Sequence, residues 1–232
     1  MILAQLQIRD RSTDASCVEA NGFCPSWIAD NLDRYKQPLI EHIELTLIAV
    51  AIGFAIAFGL ALLAYRRRWL VPPITQITGI MYTIPSVALF FLLLPLTGRG
   101  KVTALIALVS YTLLIIFRNV ITGLEGVPAE ARDAGRGMGL TPRQLLWRVE
   151  LPLAVPEIMA GLRIAVTTTV GLTALVFLAG AGGLGEAIFA DTQFRSNVVV
   201  AGGLCVLLAV VLDLLVLALQ RALTPWTRAV AR

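Results

Sequence analysis

Long apolar runs separated by short polar stretches dominate this chain from about residue 41 onward. Each run is long enough to form a helix that crosses a hydrocarbon core of roughly 30 Å, at about 1.5 Å of rise per residue. The five runs lie near residues 41–65, 74–95, 101–121, 156–179 and 198–220. The pattern predicts an all-α integral membrane helical bundle with five transmembrane helices.

Composition agrees with a membrane protein and disfavours a soluble or nucleic-acid-binding domain. Of the 232 residues, 57% are hydrophobic and 15% are charged, and the mean hydropathy is +0.81. A soluble fold of this length needs more polar surface than this composition supplies. The net charge of +4 is small, and the basic residues are not massed on one stretch. The first residues turn polar too soon for a signal peptide, so the first span is expected to direct insertion.

Basic residues flank the predicted spans unevenly, and this asymmetry predicts an orientation. The stretches after the first, third and fifth spans hold ten of them: Arg66, Arg67, Arg68, Arg132, Arg136, Arg143, Arg148, Arg221, Arg228 and Arg232. The opposite side holds seven: Arg9, Arg11, Arg34, Lys36, Arg99, Lys101 and Arg195. The positive-inside rule therefore predicts an N-terminus outside and a C-terminus in the cytoplasm.

The cysteines are divided between the polar N-terminus and the last span. Cys17 and Cys24, with six residues between them, either form a disulfide in an oxidising compartment or remain free thiols. Cys205 lies in an apolar run and is expected to act as a small core residue. The chain divides into an extracytoplasmic segment (1–37), a membrane domain (38–225) and a cytoplasmic tail (226–232).

A polar, glycine-rich stretch, DAGRGMGLTPRQLLWRVELP at residues 133–152, interrupts the apolar second half of the chain. Thr141 followed by Gln144 has the pattern of a capping box, which starts a helix. Gly139 can adopt a left-handed conformation and end a preceding helix. The stretch therefore predicts a short helix over about 129–138, a sharp turn and a second helix. The short helix fits either a solvated loop helix or a compact docking helix for a cytoplasmic partner.

The same stretch resembles the EAA loop of bacterial ABC importer membrane subunits. The family pattern is E-A-A, three residues, G, nine residues, then I-x-L-P. Here Asp133-Ala134-Gly135, Gly139 and Val149-x-Leu151-Pro152 keep that spacing, with Asp for Glu, Gly for the second Ala and Val for Ile. Three further stretches resemble the osmoprotectant branch, which imports glycine betaine, choline and carnitine: IMYTIPSVALFFLLLPLTGRG at 80–100, YTLLIIFRNVITGL at 111–124 and VELPLAVPEIMAGLRIAV at 149–166. The likeness covers about residues 40–225.

The resemblance implies the fold and partners of a type I ABC importer permease in a bacterial plasma (inner) membrane. Two membrane subunits, identical or homologous, form the pathway, a cytoplasmic ABC ATPase dimer binds below them, and an extracytoplasmic solute-binding protein delivers the solute. The coupling loop is expected at about 125–152. Its candidate coupling residues are Glu130, Ala131, Asp133, Ala134, Gly135, Arg136, Met138, Gly139 and Arg143.

Within this set, Arg136 and Arg143 are candidates for ion pairs with the ATPase. The sequence has no G-x-x-x-x-G-K-S/T loop, so ATP and Mg are expected in the ATPase, with no cofactor in this chain. The chain is therefore predicted to be a transport subunit and not an enzyme. One histidine, with no H-E-x-x-H or G-x-S-x-G pattern, gives no support for a catalytic or metal site.

A break in the second span predicts part of the substrate pathway. Pro85 falls near the middle of that span and frees a backbone carbonyl, as in the broken helices of transporters, or else marks a tolerated kink. Quaternary ammonium groups are favoured over aromatic faces, which draws attention to two tyrosines. The pathway candidates are Tyr82, Thr83, Pro85, Ser86 and Tyr111.

Charged and glycine-rich positions in or near the spans have mainly structural interpretations. Asp213 lies inside the last span and is expected to anchor a contact between helices or to act as a substrate counter-ion. Arg163 and Glu157 are expected to be interface anchors, and His42 is expected to be ordinary polarity at the membrane boundary. Residues 180–185 satisfy G-x-G-x-x-G but follow a span, not a strand, and so predict a close-packed external turn.

Three alternatives to an osmoprotectant importer stay open. The same architecture could carry an amino acid, a methionine-like compound or an oxyanion, because those branches share the coupling loop. An ion-gradient-driven secondary transporter or channel is disfavoured, since five spans without inverted repeats and one candidate coupling acid suit it poorly. A scaffold protein without transport activity is the third.

Overall fold

Helices account for nearly all of residues 15–228, the part of the chain that this computed structural model describes, and these residues include no strand. The α-helices in chain order are α1 (Ala15–Glu19), α2 (Pro25–Asp30), α3 (Lys36–Arg66), α4 (Val71–Thr83), α5 (Ser86–Thr97), α6 (Lys101–Glu125), α7 (Ala129–Gly137), α8 (Pro142–Leu145), α9 (Leu151–Thr173), α10 (Leu184–Ala190) and α11 (Arg195–Leu223). Short 3-10 segments cover Leu32–Tyr35, Arg68–Leu70, Val176–Ala179 and Pro225–Arg228, and a π-helical segment covers Leu146–Glu150. The ends of the predicted terminal segments, with Arg9, Arg11 and Arg232, lie outside the described residues.

The core forms where α3, α6 and α9 pack side by side, with α4 and α5 against α6 and α11 against α9. Small residues bring the central helices close together. A Cβ atom on Gly53 would lie 1.8 Å from the Thr112 hydroxyl oxygen, and one on Gly161 would lie 2.3 Å from the Asn119 Cβ. One apolar cluster centres on Phe117 near the α7 end of the bundle, and a second centres on Phe90 near the opposite end.

The number of spans differs from the prediction of five. By length and composition, three segments of the described chain could cross a membrane, namely Leu32–Arg66, Lys101–Glu125 and Arg195–Leu223. A pair of helices, Arg68–Thr83 and Ser86–Thr97, bent by 97°, would make a fourth if it counts as one span. The fourth predicted span corresponds to α9, which is about 34 Å long at 1.5 Å per residue. Its charged residues Glu157 and Arg163 interrupt the apolar run.

The N-terminal part of the described chain is tied to the start of α11. Cys17 and Cys24 form a disulfide, which resolves the alternative left open by the sequence. The Cys24 backbone N–H donates to Ser196 Oγ at 2.7 Å, and the Tyr35 hydroxyl donates to Asn197 Oδ1 at 2.8 Å. The rings of Trp27 and Phe194 pack edge to face where this N-terminal segment meets the start of α11. The α1–α2 segment is therefore fixed to the same end of the bundle as the start of α3.

Two polar predictions near that end have different outcomes. The expectation of ordinary boundary polarity at His42 is wrong, because its side chain is fully buried and Nε2 donates to the Val170 carbonyl at 3.0 Å. The glycine stretch at 180–185 does form a close-packed turn, which leads from the 3-10 segment Val176–Ala179 into the first turn of α10. A Cβ atom on Gly185 would lie 1.7 Å from the Ala174 carbonyl oxygen, so this position accepts no larger side chain without movement.

Opposite charges join α9 to α11 within the bundle. Arg163 donates to both carboxylate oxygens of Asp213, from Nε at 2.8 Å and from an Nη atom at 2.7 Å. This pair confirms the expectation that Asp213 anchors a contact between helices. Cys205, expected to be a core residue, is partly exposed on α11.

Candidate functional site

The polar stretch between the third and fourth predicted spans folds as a capped helix followed by a glycine turn. Helix α7 ends at Gly137, within one residue of the prediction. Gly139 adopts φ +79°, the left-handed region in which glycine is favoured, and its N–H donates to the Arg136 carbonyl at 2.9 Å. The Leu140 N–H donates to the Gly135 carbonyl at 3.2 Å and closes the helix end. The predicted sharp turn at Gly139 is therefore confirmed.

The second helix begins at the predicted capping box. The Thr141 N–H donates to Gln144 Oε1 at 2.9 Å, and the Gln144 N–H donates to Thr141 Oγ1 at 3.4 Å. The helical path then continues from α8 through the π segment into α9. Pro152 follows the π-helical segment and does not end the path; there the Leu151 N–H donates to the Leu146 carbonyl, five residues earlier. The turn at Gly139 thus connects α7 directly to one long helical rod that enters the bundle.

The two faces of α7 have different surroundings. The face that lies against α8 and the π segment holds Ala131, Arg132 and Gly135, of which Gly135 is buried. A Cβ atom on Gly135 would lie 2.6 Å from Leu145 Cδ1, so glycine allows this close packing. The other face is exposed and holds most of the predicted coupling residues: Glu130, Asp133, Ala134, Arg136 and Met138. Ala131 and Gly135 are therefore placed toward the body of the protein, and Gly139 and Arg143 are exposed beside the helix.

A polar junction joins α7 to three other elements, and its centre is Arg132. The guanidinium donates from Nε to the Glu150 carboxylate at 3.1 Å and from an Nη atom to the Leu124 carbonyl at 2.6 Å. The same Nη atom lies 3.4 Å from the Tyr65 hydroxyl, which in turn donates to Glu150 at 2.9 Å. The Arg132 side chain is 20% exposed and that of Glu150 is 8% exposed. This junction connects the ends of α3 and α6 to α7 and the start of α9.

A basic cleft of about 740 Å³ opens beside this junction. Tyr65 and Glu150 belong to its lining, and Arg66, Arg136 and Arg143 lie around it. Arg136 pairs with Asp133 at 3.2 Å, but both side chains are about two-thirds exposed, so the pair is weak. The cleft therefore offers positive charge next to the exposed face of α7.

The predicted break in the second span is present at Ile84 and Pro85, between α4 and α5. The Tyr111 hydroxyl of α6 donates to the Ile84 carbonyl, and the Thr83 hydroxyl donates to the Ile80 carbonyl at 2.7 Å. These bonds pair backbone groups that a continuous helix would have paired internally. The break is consequently a built feature of the fold, held in place from α6.

The five pathway candidates meet at this break but differ in access. Tyr82 and Tyr111 pack edge to face, with ring centroids 5.8 Å apart. Tyr82 is 39% exposed, whereas Tyr111 is 6% exposed and lies behind it. Thr83 and Pro85 are exposed and Ser86 is half-buried. The ring that this subunit presents to its surroundings is therefore that of Tyr82.

Three residues of this junction were not among the functional candidates predicted from the sequence: Tyr65, Arg132 and Glu150. A signal was available for Glu150, because it is an acid that begins an otherwise apolar helical run. The partners of Glu150 could not be inferred, since they lie 18 and 85 positions away along the chain. Among residues 15–228, no group of three or more His, Cys, Asp or Glu side chains is placed to hold a metal ion.

Known proteins with similar sequences are transport permeases of one family. Residues 49–229 match the family described as binding-protein-dependent transport system inner membrane component. The chain is 38% identical over 187 residues to the choline transport system permease protein OpuBB of Bacillus subtilis. The aligned region covers 80% of this chain and 86% of that protein. It is 39% identical over 208 residues to the osmoprotectant import permease protein OsmW of Salmonella typhimurium, covering 86% of this chain and 96% of that protein.

Solved structures give the same architecture. A chain of the MetNI methionine ABC transporter in an inward facing conformation superposes with a TM-score of 0.69 at 28% identity, covering 85% of this chain and 96% of that one. A chain of an amino acid ABC transporter superposes with a TM-score of 0.72 at 16% identity, covering 84% and 97%. At that lower identity the likeness shows the fold alone.

Proposed function

This chain belongs to the family of binding-protein-dependent transport system inner membrane components, and from that premise we propose that it imports an osmoprotectant of the quaternary amine class. Its role is that of the membrane-spanning permease subunit of an ATP-binding cassette importer. The resemblance found in the EAA-type stretch is thereby confirmed at the level of the family. The cargo is inferred from relatives named for choline and osmoprotectant transport.

The observation that carries this proposal is the placement of α7. It is a short helix with a closed turn at Gly139, one exposed face and one face fixed to the bundle. A compact, rigid helix that projects from a bundle suits insertion into a groove on a partner protein. We assign this face, with Glu130, Asp133, Arg136 and Met138, to contact with a cytoplasmic ATPase subunit. Arg143 and the basic cleft beside α7 would receive acidic side chains of that partner.

The proposed orientation puts α7 in the cytoplasm and the α1–α2 segment outside. The arginine-rich stretches near α7 support this orientation through the positive-inside rule. The Cys17–Cys24 disulfide gives independent support, because disulfides persist in oxidising compartments outside the cytoplasm. The external segment and the turns beside it then face the solute-binding protein. A second permease subunit, identical or homologous, completes the pathway.

This placement of α7 implies a mechanism in which closure of the ATPase subunits displaces α7. The continuous helical rod from α8 to α9 then transmits that displacement into the membrane. The bend between α4 and α5 places backbone groups and the Tyr82 ring where a second subunit and a solute could meet them. Quaternary ammonium cations gain from contact with an aromatic face by about 0.5–2 kcal/mol, depending on desolvation. A contact this weak suits transport, because tight binding of the solute would slow its release.

Reconstitution tests the proposal. The protein is placed in liposomes with its ATPase subunit inside and its solute-binding protein outside, and uptake of labelled choline, glycine betaine and carnitine is measured. We expect uptake of these solutes that requires both ATP and the ATPase subunit. Methionine is the comparison solute, and we expect it not to be taken up. Uptake driven by an ion gradient without the ATPase would support a secondary transporter instead. ATP-dependent uptake of methionine alone would retain the importer and overturn the cargo.

A further inference from the structure

We propose that Arg132 is the positioning residue that makes α7 move as one body with α3, α6 and α9. This inference rests on the proposed function, because it concerns how displacement of α7 by an ATPase reaches the membrane helices. Arg132 itself faces the bundle and not the exposed face of α7, so it acts inside the subunit and not through contact with the partner.

The geometry of Arg132 suits this role because its guanidinium meets three elements at once. It donates to the Leu124 carbonyl at the end of α6 and to the Glu150 carboxylate in the last residue before α9. It also lies within 3.4 Å of the Tyr65 hydroxyl at the end of α3. A guanidinium presents several donors in a fixed plane, so that one side chain can hold several acceptors in a defined arrangement. Lysine, with a single nitrogen on a flexible stem, cannot reproduce that arrangement.

Burial makes the junction stiff. Glu150 is 8% exposed and Arg132 is 20% exposed, so water screens their attraction less than it screens a surface pair. Removing either partner would leave the other with an unpaired charge in a poorly solvated site. The junction therefore resists opening when α7 is pushed or pulled.

Other contacts of α7 reach fewer helices. Gly135 packs against Leu145, which joins α7 to the α8 end of the rod. The Arg136–Asp133 pair lies within α7 itself and is exposed. Among the described residues, the side-chain hydrogen bonds that connect α7 to α3 and α6 are those of Arg132. Without them, displacement of α7 could be absorbed by the turns at its two ends and would leave α3 and α6 in place.

The test is the number of solute molecules transported per ATP hydrolysed, measured in proteoliposomes that contain the full complex. The variants are Arg132→Ala, Arg132→Lys, Glu150→Gln and Tyr65→Phe. Glu125→Gln is the matched control, because it removes an exposed ion pair near the same helix ends, between Arg68 (64% exposed) and Glu125 (45% exposed), and leaves the Arg68 guanidinium over the Tyr65 ring. Co-purification of the ATPase subunit is recorded for every variant.

We expect Arg132→Ala to lower the transport-to-hydrolysis ratio at least fivefold while the ATPase still co-purifies and hydrolyses ATP. Arg132→Lys and Glu150→Gln should give intermediate ratios, Tyr65→Phe a smaller loss, and Glu125→Gln less than a twofold change. The effects of Arg132→Ala and Glu150→Gln on the ratio should be non-additive when the two changes are combined. If Arg132→Ala fails to accumulate, Arg132→Lys and Glu150→Gln provide the decision.

Ratios for the junction variants within twofold of that of Glu125→Gln would overturn the inference while leaving the importer intact. Failure of the unmodified complex to couple uptake to ATP would instead overturn the proposed function. Measurement of ATP-coupled uptake by the unmodified complex distinguishes these two outcomes.

Discussion

The guanidinium of Arg163 and the carboxylate of Asp213 share two hydrogen bonds, of 2.8 and 2.7 Å, that join α9 to α11. The most apolar 18-residue stretch of α11 is only 11% buried inside the subunit. A paired charge between two apolar helices both orients them and is costly to break. The pair therefore holds α11 to α9, in addition to the hydrogen bonds of Ser196 and Asn197 at the start of α11.

Breaking this pair on one side should destabilise the subunit. We expect Asp213→Leu to lower the free energy of unfolding by about 1–3 kcal/mol, because Arg163 keeps its charge and loses its acceptor. The double variant Arg163→Leu/Asp213→Leu should recover most of that loss, since apolar groups of similar size replace both charges. Thermal unfolding of the purified protein in detergent measures both. A double variant that is less stable than Asp213→Leu would show that the unpaired Arg163 charge is not the cause of the loss.

The turn at Gly139 should tolerate residues according to their fit to positive φ. A β-branched residue at φ +79° is strained by about 1–2 kcal/mol, whereas Asn enters this region with less cost. We expect Gly139→Val to insert normally but to reduce ATP-dependent uptake roughly 5- to 30-fold, the factor that corresponds to such a strain. Gly139→Asn should retain most of the uptake. Equal uptake by the two variants would mean that the turn conformation has no part in coupling.

The hydroxyl of Tyr111 should stabilise the break between α4 and α5. Tyr111→Phe keeps the ring and removes the bond to the Ile84 carbonyl, so the free energy of unfolding should fall by about 0.5–1.5 kcal/mol. Tyr82→Phe is the matched comparison, because it changes the other ring of the same edge-to-face pair, and its thermal midpoint should be unchanged. A similar loss in both variants would point to a general packing effect.

Thiol labelling should separate the two sides of the membrane. In a Cys205→Ser background, we expect a membrane-impermeant maleimide to label intact cells at Cys17 and Cys24 only after reduction. With both of these changed to Ser, a single cysteine at Met138→Cys should be labelled only in inside-out vesicles. Labelling of Met138→Cys from the outside of intact cells would reverse the proposed orientation.

Local sequence signals were sufficient for α7 and its turn, because capping boxes and left-handed glycines act within a few residues. The apolar run predicted the start of α9 five residues late, near residue 156, whereas the helix begins at Leu151 and Pro156 lies inside it. Pro85 predicted a break, but the 97° bend is held from α6, where the Tyr111 hydroxyl donates to the Ile84 carbonyl from 27 positions away.

Contacts between distant positions were beyond local patterns. His42 looked like boundary polarity because its neighbours in sequence are acidic, whereas its partner is the Val170 carbonyl, 128 positions away. The Arg132 junction has the same character, because three helix ends converge on one arginine that was counted only as a cytoplasmic charge. Such convergence is a property of the packed bundle, and no spacing rule along the chain reveals it.

Cross-linking from α7 tests the central claim most directly. Single cysteines replace Glu130, Asp133 and Met138 on the exposed face, with Ala131→Cys on the inward face as the comparison, in a background where Cys17, Cys24 and Cys205 are Ser. In membranes that contain the whole transporter, the three exposed positions should form cross-links to the ATP-hydrolysing subunit, with yields that change when ATP binds. Ala131→Cys should form few. An absence of cross-links to that subunit from every exposed position, while ATP-dependent uptake persists, would contradict the docking of α7.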